Sequence, residues 1–356
     1  MKLKQLAFVL SVAWCAMAQG LDTGAFGKRI KLTFKQSGNS MPVAVRLAEG
    51  EVEGFAYADC AEGGADLRAT WSDETELPLE IERWKTDGES LLWVRVPDFK
   101  KGDKATILYN NPTPEPAPES SLVWTGFPVV HHLNATNAAP GSASVSECVD
   151  MNFVEAVLGL GAKTVSTANG GFAFTGSEVA KGITKTSCFT VSMVVKMWNG
   201  YLQHGRRFAT NKTAYNGPGF DVMYFSSSTV KDKITVRGDN ANKTAHLDPS
   251  GIDWTQPHHL AIVFDGDTCA CYVDGQPLTA TSYAIDPVST HANTLKLGNG
   301  ADKGNVLPGI YDEFRLRDGA ATAADIACEY ADLMNAGAGL YTLRADLGAP
   351  TILYIR

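Results

Sequence analysis

The stretch ELPLEIERW, residues 76–84, decides how the chain is read. Leu77, Leu79 and Ile81 fall on one parity, and Glu76, Glu80 and Glu82 on the other. Side chains two apart on a strand share a face, so this alternation predicts a half-buried β-strand. Arg83 then lies beside the leucines and Trp84 beside the acids. Glu80 and Glu82 are expected to face water, where two neighbouring carboxylates cost little. The same pair raises a chemical question. Alternate residues on a strand stand roughly 6.5–7 Å apart. Two carboxylates acting on a glycosidic bond span about 5–10 Å.

Outward from this stretch, the segment from Ile30 to Asn110 reads as strands: IKLTF, VAVRL, DLRATW, LPLEIERW, LLWVRV and KATILYN, separated by Gly, Asp and Ser turns. NNPTPEPAPESS, residues 110–121, then places proline at 112, 114, 116 and 118. That spacing suits neither sheet nor helix and marks a semi-rigid connector. Strand signals resume through LVWTGFPVVHHL, CFTVSMVVKMW, GFDVMYF, KITVRG, PHHLAIVF, CACYVDG and GIYDEFRLRD, with Asp265-Gly266 and Asp274-Gly275 as hairpin punctuation. The helical period appears in ATAADIACEYADLM, residues 321–334, which spaces Ile326, Tyr330 and Leu333 on one side. The expected fold is all-β: two antiparallel β-sandwiches in series with a short C-terminal helix. The tail, residues 336–356, holds two apolar runs, and adding an edge strand or opening a further element are both open to it.

The 356 residues are enough for two or three domains. Residues 1–18 have the form of a secretory signal: Lys2 and Lys4, the apolar LAFVLSVAW, then Ala16-Met17-Ala18 as a small-x-small cleavage site. The bulky Trp14 before Cys15 argues against a lipidated cysteine. No other stretch approaches the ~18 apolar residues of a membrane span. The expected location is secreted, periplasmic or exposed at the cell surface. The formal charge is −8, and loss of Lys2 and Lys4 deepens it to about −10. This disfavours nucleic acid and anionic membrane as partners. Six cysteines follow the signal, which in an exported chain permits up to three disulfides, although Cys269 and Cys271 share a strand face and are not expected to bond each other.

The motifs carry a resemblance. DLRATWSDETELPLEIERW, then ESLLWVRVPDF, then KATILYNNP, resembles the bacterial exported domain of unknown function 2341 over residues 28–115. Leu79 stands where that family has tyrosine, and Asn110 where it has glycine. Residues 122–335 resemble a laminin-G-like, concanavalin-type jelly roll through GGFAFTGSEV, CFTVSMVVKMW, WTQPHHLAIVFDGDTCACYVDGQPL and GIYDEFRLRDGAATAADIACEY. The resemblance implies two antiparallel sheets in the second domain. It leaves function open among binding glycans, binding proteins, holding calcium and spacing other modules.

Candidate chemistry is sparse. Laminarinase-type hydrolases use three alternating acids on one strand, but Glu80-Ile81-Glu82 is followed by Arg83 and Trp84, and these acids fall in the first sandwich. Asp312-Glu313 should point to opposite faces of a regular strand and so cannot act on one bond. The laminin-G resemblance allows calcium near Asp312, although SASVSECVD stands where the usual D-x-S-G-N loop would lie. Of the pairs His131-His132 and His258-His259, one ring of each is expected inward, without a recognisable nucleophile. GLGAKT, residues 159–164, lacks phosphate-loop spacing. Trp198 and Trp254 read as core. Lys196 to Phe220 reads as loop-rich, and Tyr201, Gln203, Tyr215 and Asn216 within it are the candidates for stacking on and hydrogen-bonding a sugar. The expectation is a non-catalytic binding or adhesion protein without cofactor, calcium aside, its partner a glycan or cell-surface protein. The alternatives are a divergent polysaccharide hydrolase or lyase, and a structural spacer.

Overall fold

The computed structural model describes residues 21–135, 138–164, 170–175, 187–198, 205–214, 216–240, 243–278, 282–289, 293–298, 306–334 and 339–346. The proposed signal lies outside these residues.

The first sandwich opens with β1 (Lys28–Phe34), β2 (Met41–Leu47), β3 (Arg68–Trp71), β4 (Glu76–Leu77), β5 (Leu79–Arg83), β6 (Ser90–Val96) and β7 (Lys104–Tyr109). One sheet runs β1-β7-β3-β4 and the other β2-β6-β5. All pairings are antiparallel. Pro78 separates β4 from β5, since it has no amide hydrogen for a ladder. Ile30, Leu32, Val43, Val45, Leu92, Val94 and Ile107 meet between the sheets and are 0 % exposed.

In the second sandwich, one sheet holds, from edge to edge, Met151–Glu155 (β10), Leu160–Thr164 (β11), Gly309–Asp318 (β23), Cys188–Met197 (β13), His258–Asp265 (β18), Thr268–Val273 (β19) and Gln276–Pro277 (β20), with Val129–His131 (β8) also on β23 and Tyr283–Ala284 (β21) also on β19. Facing it are Thr244–Leu247 (β17), Lys233–Arg237 (β16), Asp221–Phe225 (β15), Arg206–Thr210 (β14), Leu295–Leu297 (β22), Gly171–Thr175 (β12) and Ser144–Val149 (β9). Phe172, Phe174, Phe189, Phe208, Phe220, Phe264 and Phe314 fill the space between. The strand β14 lies inside the stretch read as loop-rich, because RRFAT is too short and too basic to show a period. Trp254 is core as expected, whereas Trp198 is half-buried under the Lys163 ammonium, 5.3 Å from the ring centre.

The helix α1 (Ala323–Met334) starts on a capping box: Asp325 N–H donates to Thr322 Oγ1 (3.2 Å), and Thr322 N–H donates to Asp325 Oδ2 (2.9 Å). It is a wedge between the two sandwiches. Cys328 and Ala331 pack into the first core, Leu333 into the contact between sandwiches, and Ile326 against Ala261 and Val263 of the second. Beyond it, Tyr341–Asp346 (β24) returns to the first sandwich and pairs with the whole of β1 except its first residue. Of the two readings open for the tail, these residues take the edge strand.

The thiols do not form the disulfides that export permitted. Cys60, Cys148, Cys269, Cys271 and Cys328 are free, and the Cys188 thiol donates to Asp265 Oδ1 at 3.3 Å. Both sandwiches have a large apolar core, so neither depends on a crosslink.

Candidate functional site

Glu80 and Glu82 do not face water. The outer face of β2-β6-β5 is covered by the second sandwich, and Ala44, Leu91, Trp93, Val123, Trp124, Val130, Leu158, Val194 and Leu333 form an apolar layer between them. The glutamate side chains lie inside this layer, 8 % and 4 % exposed. Local alternation was right that they share a face; it could not say what covers that face. It also misplaced Trp84. A bulge between Ile81 and Arg83 shifts the register, and Trp84 packs back toward the first core against Tyr57.

A second bulge interrupts β23. Ser192 pairs with Arg315 and Val194 with Asp312, leaving an extra residue on β23, and Glu313 takes φ 50°. Tyr311 and Phe314 point into the second core. Asp312 and Glu313 both point toward the first sandwich, contrary to the expectation for a regular strand. Asp312 Oδ2 accepts from Leu158 N–H (2.8 Å), a residue of the intervening layer, and Glu313 Oε1 meets His132 Nδ1 at 2.9 Å. The bulge brings two consecutive acids to one side.

His132 is the centre of the cluster. Its Nδ1 lies 2.9 Å from Glu313 Oε1 and 3.4 Å from Glu82 Oε2, and its Nε2 lies 3.5 Å from Glu80 Oε1. The ring stacks on Trp93 at 5.4 Å and 12°. Each acid is held from behind. Glu82 accepts from Trp93 Nε1 (2.7 Å) and Asn134 Nδ2 (2.6 Å), and Glu80 accepts from Trp124 Nε1. Glu313 Oε2 accepts from Arg315 (3.0 Å), whose guanidinium also lies over Trp93 (4.7 Å) and Trp124 (5.2 Å). Arg315 reaches Glu329 of α1 at 3.4 Å, and Glu329 also accepts from Ser192 Oγ at 2.7 Å. The other ring of the pair, His131, turns into the second core beside Phe172 and Phe174, so the inward–outward expectation holds here. For His258-His259 it holds as well: His259 is 0 % exposed, and His258 is half-buried on Asp274.

The electrostatics follow from burial and neighbours. Burial opposes a charge on His132, but Glu313 and Glu82 outweigh it and hold the imidazole well above its ordinary value. Burial raises the Glu82 carboxyl to about 7 despite His132. It raises Asp312 well above the carboxylate range, and Glu313 adds to the effect. Glu313 itself is held low, because His132 and Arg315 overcome its burial. Asp332 on α1 is raised to about 7 by burial. His131 falls to about 3 through burial and the neighbouring His132, which together outweigh Glu313.

This arrangement bears on each sequence candidate. Asp312 does not fit calcium, which takes six to eight oxygens. One of its oxygens is already engaged by the Leu158 amide. Tyr201, Gln203 and Tyr215 lie outside the described residues, and Asn216 is exposed. Nearby Lys212 is turned inward, its Nζ donating to the carbonyls of Gly217, Gly238 and Asp239 at 2.7 Å each. The cluster around His132 had only a weak sequence signal: two acid pairs and a His-His pair far apart in the chain.

With this geometry in hand, the chain can be compared with known families. Residues 63–135 match the domain of unknown function DUF2341, and residues 168–327 match the concanavalin A-like lectin/glucanases superfamily. Both resemblances hold, in the expected order. The DUF2341 match runs past the proline-rich connector and takes in Glu80, Glu82, Trp93, Trp124, His132 and Asn134. No curated protein matches the sequence. Among solved structures, domain 4 of AbnA, an extracellular GH43 arabinanase of Geobacillus stearothermophilus in complex with arabinotriose, is 16 % identical, with TM-score 0.45, covering 56 % of this chain and 96 % of that one. The binding domain of Paraclostridial Mosquitocidal Protein 1 is 12 % identical, with TM-score 0.46, covering 58 % of this chain and 52 % of that one. A structure of botulinum neurotoxin type C, whose cell entry is described as dependent upon interaction with two ganglioside molecules, is 10 % identical, with TM-score 0.45, covering 60 % of this chain and 52 % of that one. This chain thus spans about half the length of the two toxin chains.

Proposed function

We propose that this chain is an exported binding protein whose second sandwich recognises a glycan or a surface protein, and that the first sandwich presents it. The observation that carries this reading is the burial of the acids. Glu80, Glu82, Asp312 and Glu313, the residues a hydrolase would need, lie between two sandwiches where a polysaccharide has no access. A general acid must come within hydrogen-bond reach of the bond it protonates. The match of the second domain to a lectin and glucanase superfamily supports binding as its role. Binding on a sandwich belongs to exposed loops, and Asn216, with Tyr201, Gln203 and Tyr215 of the same segment, is where we place it.

The test is a glycan array and a pull-down of surface proteins with the full chain, alongside reducing-end release from mixed polysaccharides. Retention of a glycan or protein, weakened by Tyr201→Ala and Asn216→Ala, is the expected result. Sugar release abolished by Glu82→Gln would establish the hydrolase instead, and silence in every arm would leave a spacer.

A further inference from the structure

The geometry points to a divalent transition-metal site, of the zinc class, formed by Glu82, His132 and Glu313 where the two sandwiches meet. Glu82, His132 and Glu313 each offer one donor atom, and the three lie within 4.8 Å of one another. Zinc binds imidazole nitrogen and carboxylate oxygen at about 2.0–2.2 Å, so two donors in a tetrahedral shell stand about 3.4 Å apart. Glu82 Oε2 is already 3.4 Å from His132 Nδ1, and Glu313 Oε1, at 2.9 Å, needs to open by only about half an ångström. Imidazole with carboxylates suits a first-row transition ion better than calcium, which prefers an all-oxygen shell.

The surroundings are those of a supported metal site. A ligating histidine is usually oriented by a carboxylate on its other nitrogen, and His132 Nε2 faces Glu80 Oε1 at 3.5 Å. The ligand carboxylates are fixed by donors of their own: Trp93 and Asn134 on Glu82, and Arg315 on Glu313. One observation independent of the three ligands points to a cation. Asp312, 1 % exposed and next in the chain to Glu313, keeps Oδ1 without a partner. An ion entering the site displaces the Nδ1 proton of His132 to solvent and takes over its contact with Glu313. Such an ion joins residues of both sandwiches, so it is structural, and the sealed position implies slow exchange.

The full chain, purified without chelator and dialysed against Zn²⁺, should retain one equivalent by elemental analysis. Dialysis against Co²⁺ should give the visible d–d absorption of a low-coordinate cobalt centre. His132→Gln and Glu313→Gln should lose both signals, and Glu80→Gln should weaken retention roughly 10–100-fold while keeping the ligands. His258→Gln, at the half-buried His258–Asp274 pair, should retain the ion. If His132→Gln does not fold, Glu80→Gln and His258→Gln decide between them. Folded wild-type protein that retains no zinc and gives no cobalt spectrum overturns the site, as does retention lost in His258→Gln but kept in Glu80→Gln.

Discussion

At φ 50°, Glu313 occupies a backbone region that costs a non-glycine residue roughly 1–3 kcal/mol. Its side chain explains why the conformation persists, since it bridges His132 and Arg315 in the layer between the sandwiches. Arg315 also pairs with Glu329, so Arg315→Met takes the guanidinium away from two buried acids. It should cost about 3–5 kcal/mol in urea unfolding, and the double variant with Glu313→Gln should recover part of that loss. Asp332 gives a pH dependence of known sign. Its oxygen accepts from Ala44 N–H (3.0 Å), and burial raises its value to about 7. A carboxyl raised on folding binds its proton more tightly in the native state. Its stabilisation is therefore complete below the unfolded value, near pH 4, and disappears as pH rises through about 7. The urea midpoint should fall between pH 5 and pH 8, and Asp332→Asn, which keeps an acceptor for Ala44, should flatten that fall. An unchanged slope would exclude Asp332 as its source.

Among the elements, α1 and β24 do work that their position in the chain hides. The first sandwich is built from strands up to Tyr109, yet its edge is completed by Tyr341–Asp346. Tyr341 is buried and its hydroxyl donates to Ala44 O of β2, so β24 ties β1 in one sheet to β2 in the other. Ending the chain after Met334 removes this ladder together with Leu340 and Tyr341 from the core. Buried apolar side chains are worth about 1.5–3 kcal/mol each. The truncated chain should be cleaved faster by proteases between Lys28 and Tyr109 and should unfold at lower urea. Ending it after Asp346 keeps every one of these contacts and should leave both measurements unchanged. The sequence showed α1 clearly, through its period and its cap, whereas β24 was ambiguous. YTLRAD has the burial pattern of an edge strand, with little apolar content to mark it.

For the whole molecule, the layer around Trp93, Trp124, Val194 and Leu333 should make the two sandwiches unfold together. Calorimetry should show one transition for the wild type. Val194→Arg, which places a charge in that layer, should split it in two. Leu333→Ala should cost about 2–5 kcal/mol and lower the stability of both halves. Two well-separated transitions in the wild type would mean that the layer does not couple them. The sequence by itself determined the β class, the two sandwiches in series, the connector and the helix, because strand and helix periods are local and each segment carries its own. It also placed Glu80 and Glu82 on one face. Only the tertiary structure decided that this face is buried, that a bulge at Glu313 turns Asp312 and Glu313 toward it beside His132, and that the tail closes the first sandwich. The physical reason is the same in each case. A two-residue period says which side chains share a face, but what covers that face depends on segments hundreds of residues away. A bulge changes direction through one residue and leaves no period to read.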